Sequence, residues 1–158
     1  MSDDRPTALD VTTVEPDTGT DYPAPFRAAV AGRERRRLGE RFGLSQFGVN
    51  LTRLPPGAMS SQRHWHTRED EFVYVLEGEL VLVTDAGETV LRPGMCAGFP
   101  AGSRDGHHLV NRSGRDALLI EVGTRAGLDD EAVYSDIDME LRRFGDGHRY
   151  VRKSGEPY

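Results

Sequence analysis

From residue 46 onwards, apolar and polar residues alternate in short segments that end at turns. Phe47, Val49 and Leu51 alternate with small or polar residues, which is the period of a half-buried strand. Further short apolar segments follow, each ending at a turn that contains Gly. They span residues 71–76, 79–83, 88–91, 95–99, 107–111 and 117–122. Short strands at this spacing are typical of an antiparallel sandwich or barrel, so we predict an all-β fold.

The segments before this region follow a different pattern. Residues 1–25 are rich in Asp, Thr and Pro and have no apolar periodicity, so we expect an arm that is disordered or swapped onto a partner. Residues 26–45 form an N-terminal extension, in which 26–38 is a basic stretch with helical character. We interpret its arginines at positions 33 and 35–37 as a solvated face, with contact to an acidic partner as the alternative.

A C-terminal extension of residues 124–158 follows the alternating region. Residues 128–133 predict one helical turn, and the alternation over 137–141 indicates a further strand. The sequence therefore predicts one β-barrel over residues 46–123, flanked by two extensions.

Composition and charge narrow the class of protein. The 158 residues fit one domain, and a net charge of -6 argues against a nucleic-acid partner held by phosphate contacts. We find no apolar run near the roughly 20 residues of a membrane span and no secretory signal, so we expect a cytoplasmic protein without membrane contact. The single cysteine, Cys96, excludes an intrachain disulfide, and we expect it in the core.

The candidate chemistry lies in His64-Trp-His66 and in Glu71, which opens the next strand. Side chains two apart on a strand point to the same face, so His64 and His66 can aim both imidazoles at one point inside a barrel, with Trp65 on the outer side. Glu71 can complete this face, and His107 lies in a later strand. Imidazole and carboxylate together suit a divalent first-row metal, and four such ligands leave one or two positions open.

These residues also fit two longer motifs. The first runs from Gly57 through His64-Trp-His66 and Glu71 to Gly78. The second runs from Gly94 through Pro100-Ala-Gly102 and His107 to Asn111. In both motifs the pattern resembles the cupin superfamily, with one extra residue before His64 and two before His107. His108 is the alternative fourth ligand, but the spacing to Asn111 favours His107.

The resemblance covers about half of the chain and extends to small bacterial single-domain cupins, most of them uncharacterised. It implies a double-stranded β-helix, or jelly-roll barrel, and a homodimer. It also implies one divalent transition metal per chain, with Fe, Mn, Ni and Zn as candidates, bound by His64, His66, Glu71 and His107. On related barrels such a metal serves oxygenation, decarboxylation, isomerisation and lyase chemistry on a small molecule that chelates it.

A dioxygenase is our first hypothesis, because adjacent open positions suit a substrate and O2 together. The alternative is a module that binds or senses a sugar or sugar phosphate without turnover, and a structural metal site is a third possibility. Glu69 and Asp70 are candidate general bases if their loop folds towards the metal. The barrel mouth is a possible location for four further side chains, although a rim charge or a core aromatic ring is the simpler interpretation of each. They are Arg53, Arg63, Tyr74 and Phe99.

Overall fold

The computed structural model describes residues 5–158. Its strands are β1 (Glu34–Arg37), β2 (Phe47–Leu54), β3 (His64–His66), β4 (Glu71–Glu77), β5 (Leu80–Thr84), β6 (Gly87–Leu91), β7 (Cys96–Phe99), β8 (His108–Val110), β9 (Ala117–Thr124), β10 (Ala132–Tyr134), β11 (Glu140–Phe144) and β12 (Gly147–Val151). One short α-helix, α1, spans Leu38–Arg41, and 3-10 turns span Val11–Thr13, Ala24–Val30 and Gly127–Asp129. None of the helical segments in this part of the chain has the length and apolar character needed to span a membrane.

The strands pair antiparallel in three sheets, and the all-β jelly-roll prediction is confirmed. The largest sheet has the order β1-β2-β9-β4-β7, the second β12-β11-β10-β3 and the third β6-β5-β8. Strands adjacent in these sheets are often distant in sequence, as expected for a jelly roll. The register of β9 between β2 and β4 places Glu71 beside Gly123 and so fixes where the glutamate enters the interior.

Alternating residues of the large and the three-stranded sheets form the main apolar core. Its largest fully buried side chains include Leu54, Val75, Leu80 and Leu119. Gly78 closes the turn after β4 with a φ of 76°, and a Cβ there would lie 2.5 Å from the Asp116 carbonyl oxygen. Only glycine therefore fits this turn without displacing the backbone.

The N-terminal arm packs against its own chain over the described residues 5–25, which differs from the expected disorder, while exchange with a partner stays a prediction. Tyr22 is buried, and Asp17 and Arg35 exchange two backbone hydrogen bonds in a β-bridge. Tyr22 joins a second apolar cluster with Val30 and Tyr134, and this burial offsets the entropy of ordering the arm. The first four residues of the predicted arm lie outside the described residues.

The basic stretch is not one helix, and its arginines do not form a simple solvated face. A 3-10 turn ends at Val30, and the arginines continue into strand β1, which pairs with β2. Arg33 is only 8% exposed, and Arg35 forms an ion pair with Glu121 at 2.9 Å. Burial of these two side chains, rather than helical periodicity, decides the conformation of this stretch.

Three smaller expectations also need correction. The predicted helical turn at 128–133 contains a 3-10 turn, but its end is strand β10, and the predicted strand over 137–141 begins only at Glu140. Cys96 is exposed rather than in the core. It pairs with Tyr74 across β7 and β4, on the outer face of the large sheet, because the alternation at this point directs the core-facing positions to Ala97 and Phe99.

Candidate metal centre

Three backbone segments bring the predicted ligands to one end of the barrel interior. β3 carries His64 and His66 on the same side, and β4 opens with Glu71. His107 immediately precedes β8, and its backbone exchanges two hydrogen bonds with that of His64 at 2.8 and 3.2 Å. The bridge sets the third histidine beside the first.

The four side chains lie close together, and neighbouring nitrogen and oxygen atoms of the group are less than 4 Å apart. His64 Nε2 and His66 Nε2 lie 3.1 Å apart, and each lies 3.7 Å from Glu71 Oε2. These three residues offer ligand atoms that all lie within 4.8 Å of one another. His107 adjoins the group through its Nε2, which lies 2.8 Å from Glu71 Oε2.

The hydrogen bonds of the Nδ1 atoms of His64 and His66 indicate which tautomer each imidazole adopts. His64 Nδ1 lies 2.9 Å from the Gln62 carbonyl oxygen, and His66 Nδ1 lies 2.5 Å from Asp130 Oδ2. Both partners are acceptors, so both Nδ1 atoms carry the hydrogen. The two Nε2 atoms then face each other at 3.1 Å, where one divalent cation could be held by both lone pairs or a proton on His66 could be shared with His64. Backbone and carboxylate partners of this kind are typical of metal-binding histidines.

His107 has a different environment. Its Nε2 donates to Glu71, and its buried Nδ1 has no hydrogen-bond partner within residues 5–158. Its ring stacks on Phe99 with 3.6 Å between centroids and 1° between planes. This contact holds the imidazole with Nε2 towards the other three groups, so a shift of its proton to Nδ1 would free Nε2 as a ligand.

The protonation states of His64 and Glu71 at neutral pH suit metal binding. Burial lowers the pKa of His64 to about 4. Burial would raise the pKa of Glu71, but the hydrogen bond from His107 and the nearby imidazoles outweigh it and lower this pKa to about 2. Burial would lower the pKa of His66, but the bond to Asp130 and the charge of Glu71 raise it. His64 is therefore a neutral donor and Glu71 an anionic one.

Asp130 is the functional residue that the sequence did not reveal. It is buried, and besides His66 its carboxylate accepts the backbone N–H groups of Arg68 and Glu69 at 2.8 and 3.3 Å. It thus fixes both the imidazole and the loop before β4. Its position in the sequence, far from His66 and in an apparent helical turn, gave no signal of this role.

Two cavities open onto the ligand group. The larger, of about 250 Å³, contains the positively charged side chains Arg35 and Arg125, and the smaller has about 70 Å³ and is bordered by Trp65. Residues common to both walls are His66, Glu69, Glu71, Phe99 and His107. The ligand group is therefore accessible to a small molecule from the larger side.

The two candidate general bases, Glu69 and Asp70, lie in different environments. Glu69 lines both cavities, and its Oε1 accepts the Ala126 N–H at 2.8 Å. Burial is the main reason that the pKa of Glu69 is raised. Asp70 is exposed, and its carboxylate accepts the Ala101 N–H instead. Only Glu69 is therefore placed to reach a bound molecule.

Of the four side chains considered for the mouth, the structure places only Phe99 in the cavity wall. Arg53 forms ion pairs with Glu34 and Asp116, and Arg63 pairs with Asp136 and Asp85. Tyr74 is exposed on the outer face of its sheet. His108, the alternative fourth ligand, directs Nδ1 to the Ser61 carbonyl oxygen and lies outside the ligand group.

Comparisons with known proteins agree with this architecture. The family model described as "Cupin domain" matches residues 50–123, which include all four predicted ligands. None of the curated proteins compared with the chain matches it.

Several solved structures are similar to this chain. A sugar phosphate isomerase from a cupin superfamily, of Silicibacter pomeroyi, is 50% identical, with a TM-score of 0.91 and coverage of 96% of each chain. A putative sugar phosphate isomerase of Acidithiobacillus ferrooxidans is 27% identical, with a TM-score of 0.72 and coverage of 80% of each chain. The polyketide cyclase RemF of Streptomyces resistomycificus shares the fold at 22% identity, with a TM-score of 0.62 and coverage of 74% of this chain and 78% of that one.

Proposed function

This chain belongs to the cupin superfamily, and on that premise we propose that it is a metal-dependent isomerase of a small sugar phosphate. The sequence alone favoured oxygenation. The name carried by the 50% identical relative, together with a carboxylate beside the ligand group, now favours isomerisation, which was one of the reactions considered.

The observation that carries the metal dependence is the pair of facing Nε2 atoms of His64 and His66. Two imidazole nitrogens 3.1 Å apart, next to an ionised Glu71, supply a donor set for one divalent cation, which would displace any proton on His66. His64, His66 and Glu71 would hold it, with His107 as fourth ligand. When bound, such a metal supplies Lewis-acid polarisation of a carbonyl or hydroxyl oxygen.

The remaining groups of the cavity supply proton transfer and charge recognition. Interconversion of an aldose and a ketose moves one proton between adjacent carbons. In our proposal the Glu69 carboxylate removes the proton from C2, giving an enediol, and returns it to C1 while the oxygens exchange one proton. Arg125, at the cavity mouth, provides a guanidinium for the substrate phosphate.

The test is reconstitution of the apoprotein with Fe(II), Mn(II), Ni(II) and Zn(II) separately, followed by NMR of a panel of aldose and ketose phosphates. We expect interconversion of at least one pair with metal, with solvent deuterium incorporated at the carbon that receives the proton. Glu69→Gln should retain metal and lose roughly 100- to 10,000-fold in kcat. Asp70→Asn, which alters the adjacent carboxylate turned away from the cavity, is the matched control.

Other outcomes identify the competing functions. O2 uptake that requires both metal and substrate would replace isomerisation by oxygenation. Tight binding of an unchanged sugar phosphate with every metal would favour the non-catalytic binding module. Full activity of Glu69→Gln would remove this residue from the mechanism.

A further inference from the structure

A second polar cavity lies between the N-terminal arm, β1 and the C-terminal strands. It has a volume of about 210 Å³, room for about seven waters at ~30 Å³ each. The side chains that characterise it are three arginines and three tyrosines. They are Arg33, Arg35, Arg37, Tyr22, Tyr134 and Tyr150.

Arg33 is the most unusual member of this wall because its charge is buried without a counterion. Its two hydrogen bonds that the structure describes go to the neutral carbonyl oxygens of Ser60 and Gly19, at 2.6 and 3.2 Å. Within residues 5–158, no carboxylate lies within 4 Å of its guanidinium. A buried charge without a partner is costly, so this cavity favours an anion.

The other two arginines of the cavity have carboxylate partners of their own. Arg35 is paired with Glu121 at 2.9 Å, and Arg37 with Asp17 at 2.7 Å. Asp21, which also lines the cavity, is exposed to water. Arg33 is thus the guanidinium group of this lining that has no carboxylate of the described residues in direct contact.

The tyrosines add neutral donors. Burial raises the pKa of Tyr22, and burial raises that of Tyr150 to about 12. All three phenols, including that of the buried Tyr134, therefore keep their hydrogens at neutral pH. The three tyrosines also hydrogen-bond one another, which leaves one phenol donor. This donor and the guanidinium groups around one space match an acceptor with several oxygens.

We propose that this cavity, which shares Arg35 with the cavity of the metal centre but contains none of the predicted ligands, binds a tetrahedral oxyanion of the phosphate class. The anion neutralises Arg33 and accepts hydrogen bonds from the arginines and a phenol around it. Because the wall combines arm residues such as Asp17 with strand residues such as Tyr150, the ligand also fastens the arm to the barrel. The inference does not depend on the proposed isomerase activity.

Hydrogen–deuterium exchange of the metal-loaded full chain, with and without millimolar inorganic phosphate, tests the proposal. Chloride at equal ionic strength controls for screening. We expect phosphate to slow exchange of residues 17–22 by roughly tenfold, the effect of a ligand at ten times its Kd. Arg33→Gln should abolish this protection. Arg112→Gln removes the same charge from an exposed side chain paired with Glu88 and should leave the protection unchanged.

A further variant separates this cavity from the metal centre. Phosphate bound at the metal centre would involve Arg125, so protection of residues 17–22 that disappears in Arg125→Gln would overturn the proposal. The absence of protection in the wild type, or its persistence in a folded Arg33→Gln, would do the same. If Arg33→Gln does not fold, Tyr150→Phe decides, since weaker protection supports the second site and unchanged protection refutes it.

Discussion

The two ends of the barrel interior share strand β4 but have opposite chemistry. At one end, Leu54, Leu80 and Leu119 fill the space completely, and each is 0% exposed. At the other, imidazoles and a carboxylate face one another. Strand β4 serves both ends, since Val75 packs in the core and Glu71, four residues earlier on the same face, joins the ligand group.

This contrast separates what stabilises the fold from what it can bind. The apolar end lowers the free energy by removing surface from water. At the polar end, burial holds the imidazole of His64 neutral and the site contains the charge of Glu71, so this end contributes polar contacts rather than apolar burial. We infer that alternation along a strand determines which side chains point into the barrel. The position of a side chain along the strand then determines whether it packs in the apolar core, as Val75 does, or joins the ligand group, as Glu71 does.

The largest change in the free energy of unfolding is expected from a substitution that creates a cavity at the apolar end. Leu119→Ala should lower the free energy of unfolding by about 2–5 kcal/mol, because a fully buried side chain is removed. The adjacent Leu118→Ala, at a half-buried position, should cost clearly less. Urea denaturation measures both. Equal losses of unfolding free energy in the two variants would show that the fully buried position contributes no more to stability than the half-buried one.

Acid should act through the polar end. The folded-state pKa of His64 is about 4 against an ordinary value of 6.5, so the unfolded chain binds a proton at higher pH than the folded chain. Stability that is complete above pH 6.5 is therefore lost as the pH falls towards 4. Linkage gives a loss on the order of 2 kcal/mol between pH 7 and pH 5.

Urea midpoints of the metal-free wild type and His64→Phe at these two pH values check the acid effect. The variant cannot bind this proton, so its loss between the two pH values should be smaller by about the same amount. The same acid sensitivity in both proteins would assign the effect to other groups.

Asp130 tests the support of the polar end. Asp130→Asn removes the negative charge that orients His66 and should weaken metal binding by roughly 10- to 100-fold. Competition with a chelator of known affinity measures the change. Asp136→Asn, which alters an exposed carboxylate paired with Arg63, serves as the control and should bind metal normally. Wild-type affinity in Asp130→Asn would reduce Asp130 to a loop contact.

The smallest change in stability is expected from a substitution on the outer face of the large sheet, away from both ends of the barrel interior. Cys96 lies on the outer face, so Cys96→Ser should change the free energy of unfolding by no more than about 0.5 kcal/mol. Thermal or urea unfolding is sufficient to test this. A loss of several kcal/mol would mean that another surface covers this face.

Local pattern predicted the barrel strands and the residues of the polar end, because both depend on alternation over a few positions. His64 and His66 share a face for this reason, and Glu71 opens the next strand. The identity of a fourth ligand and the homodimer remain predictions, since each depends on a group or a partner beyond this chain.

Features that depend on contacts between distant segments could not be predicted from the sequence. The sequence of the arm predicts disorder because its single aromatic residue, Tyr22, is surrounded by polar residues. The two tyrosine rings that Tyr22 contacts lie more than 100 positions further along the chain. Asp130 joins His66 across 64 positions of the chain. Cys96 shows a further limit, because an apolar segment does not reveal which of its two faces is covered.

We propose that His64, His66 and Glu71 form one binding site for a divalent metal at the polar end. Titration of the apoprotein with Fe(II), Mn(II), Ni(II) and Zn(II), with elemental analysis of the loaded protein, measures whether this site exists. We predict uptake of one metal ion per chain by the wild type and loss of that uptake in a folded His64→Gln, His66→Gln double variant. Equal uptake by both proteins, or none by the wild type with any of these metals, would contradict the account.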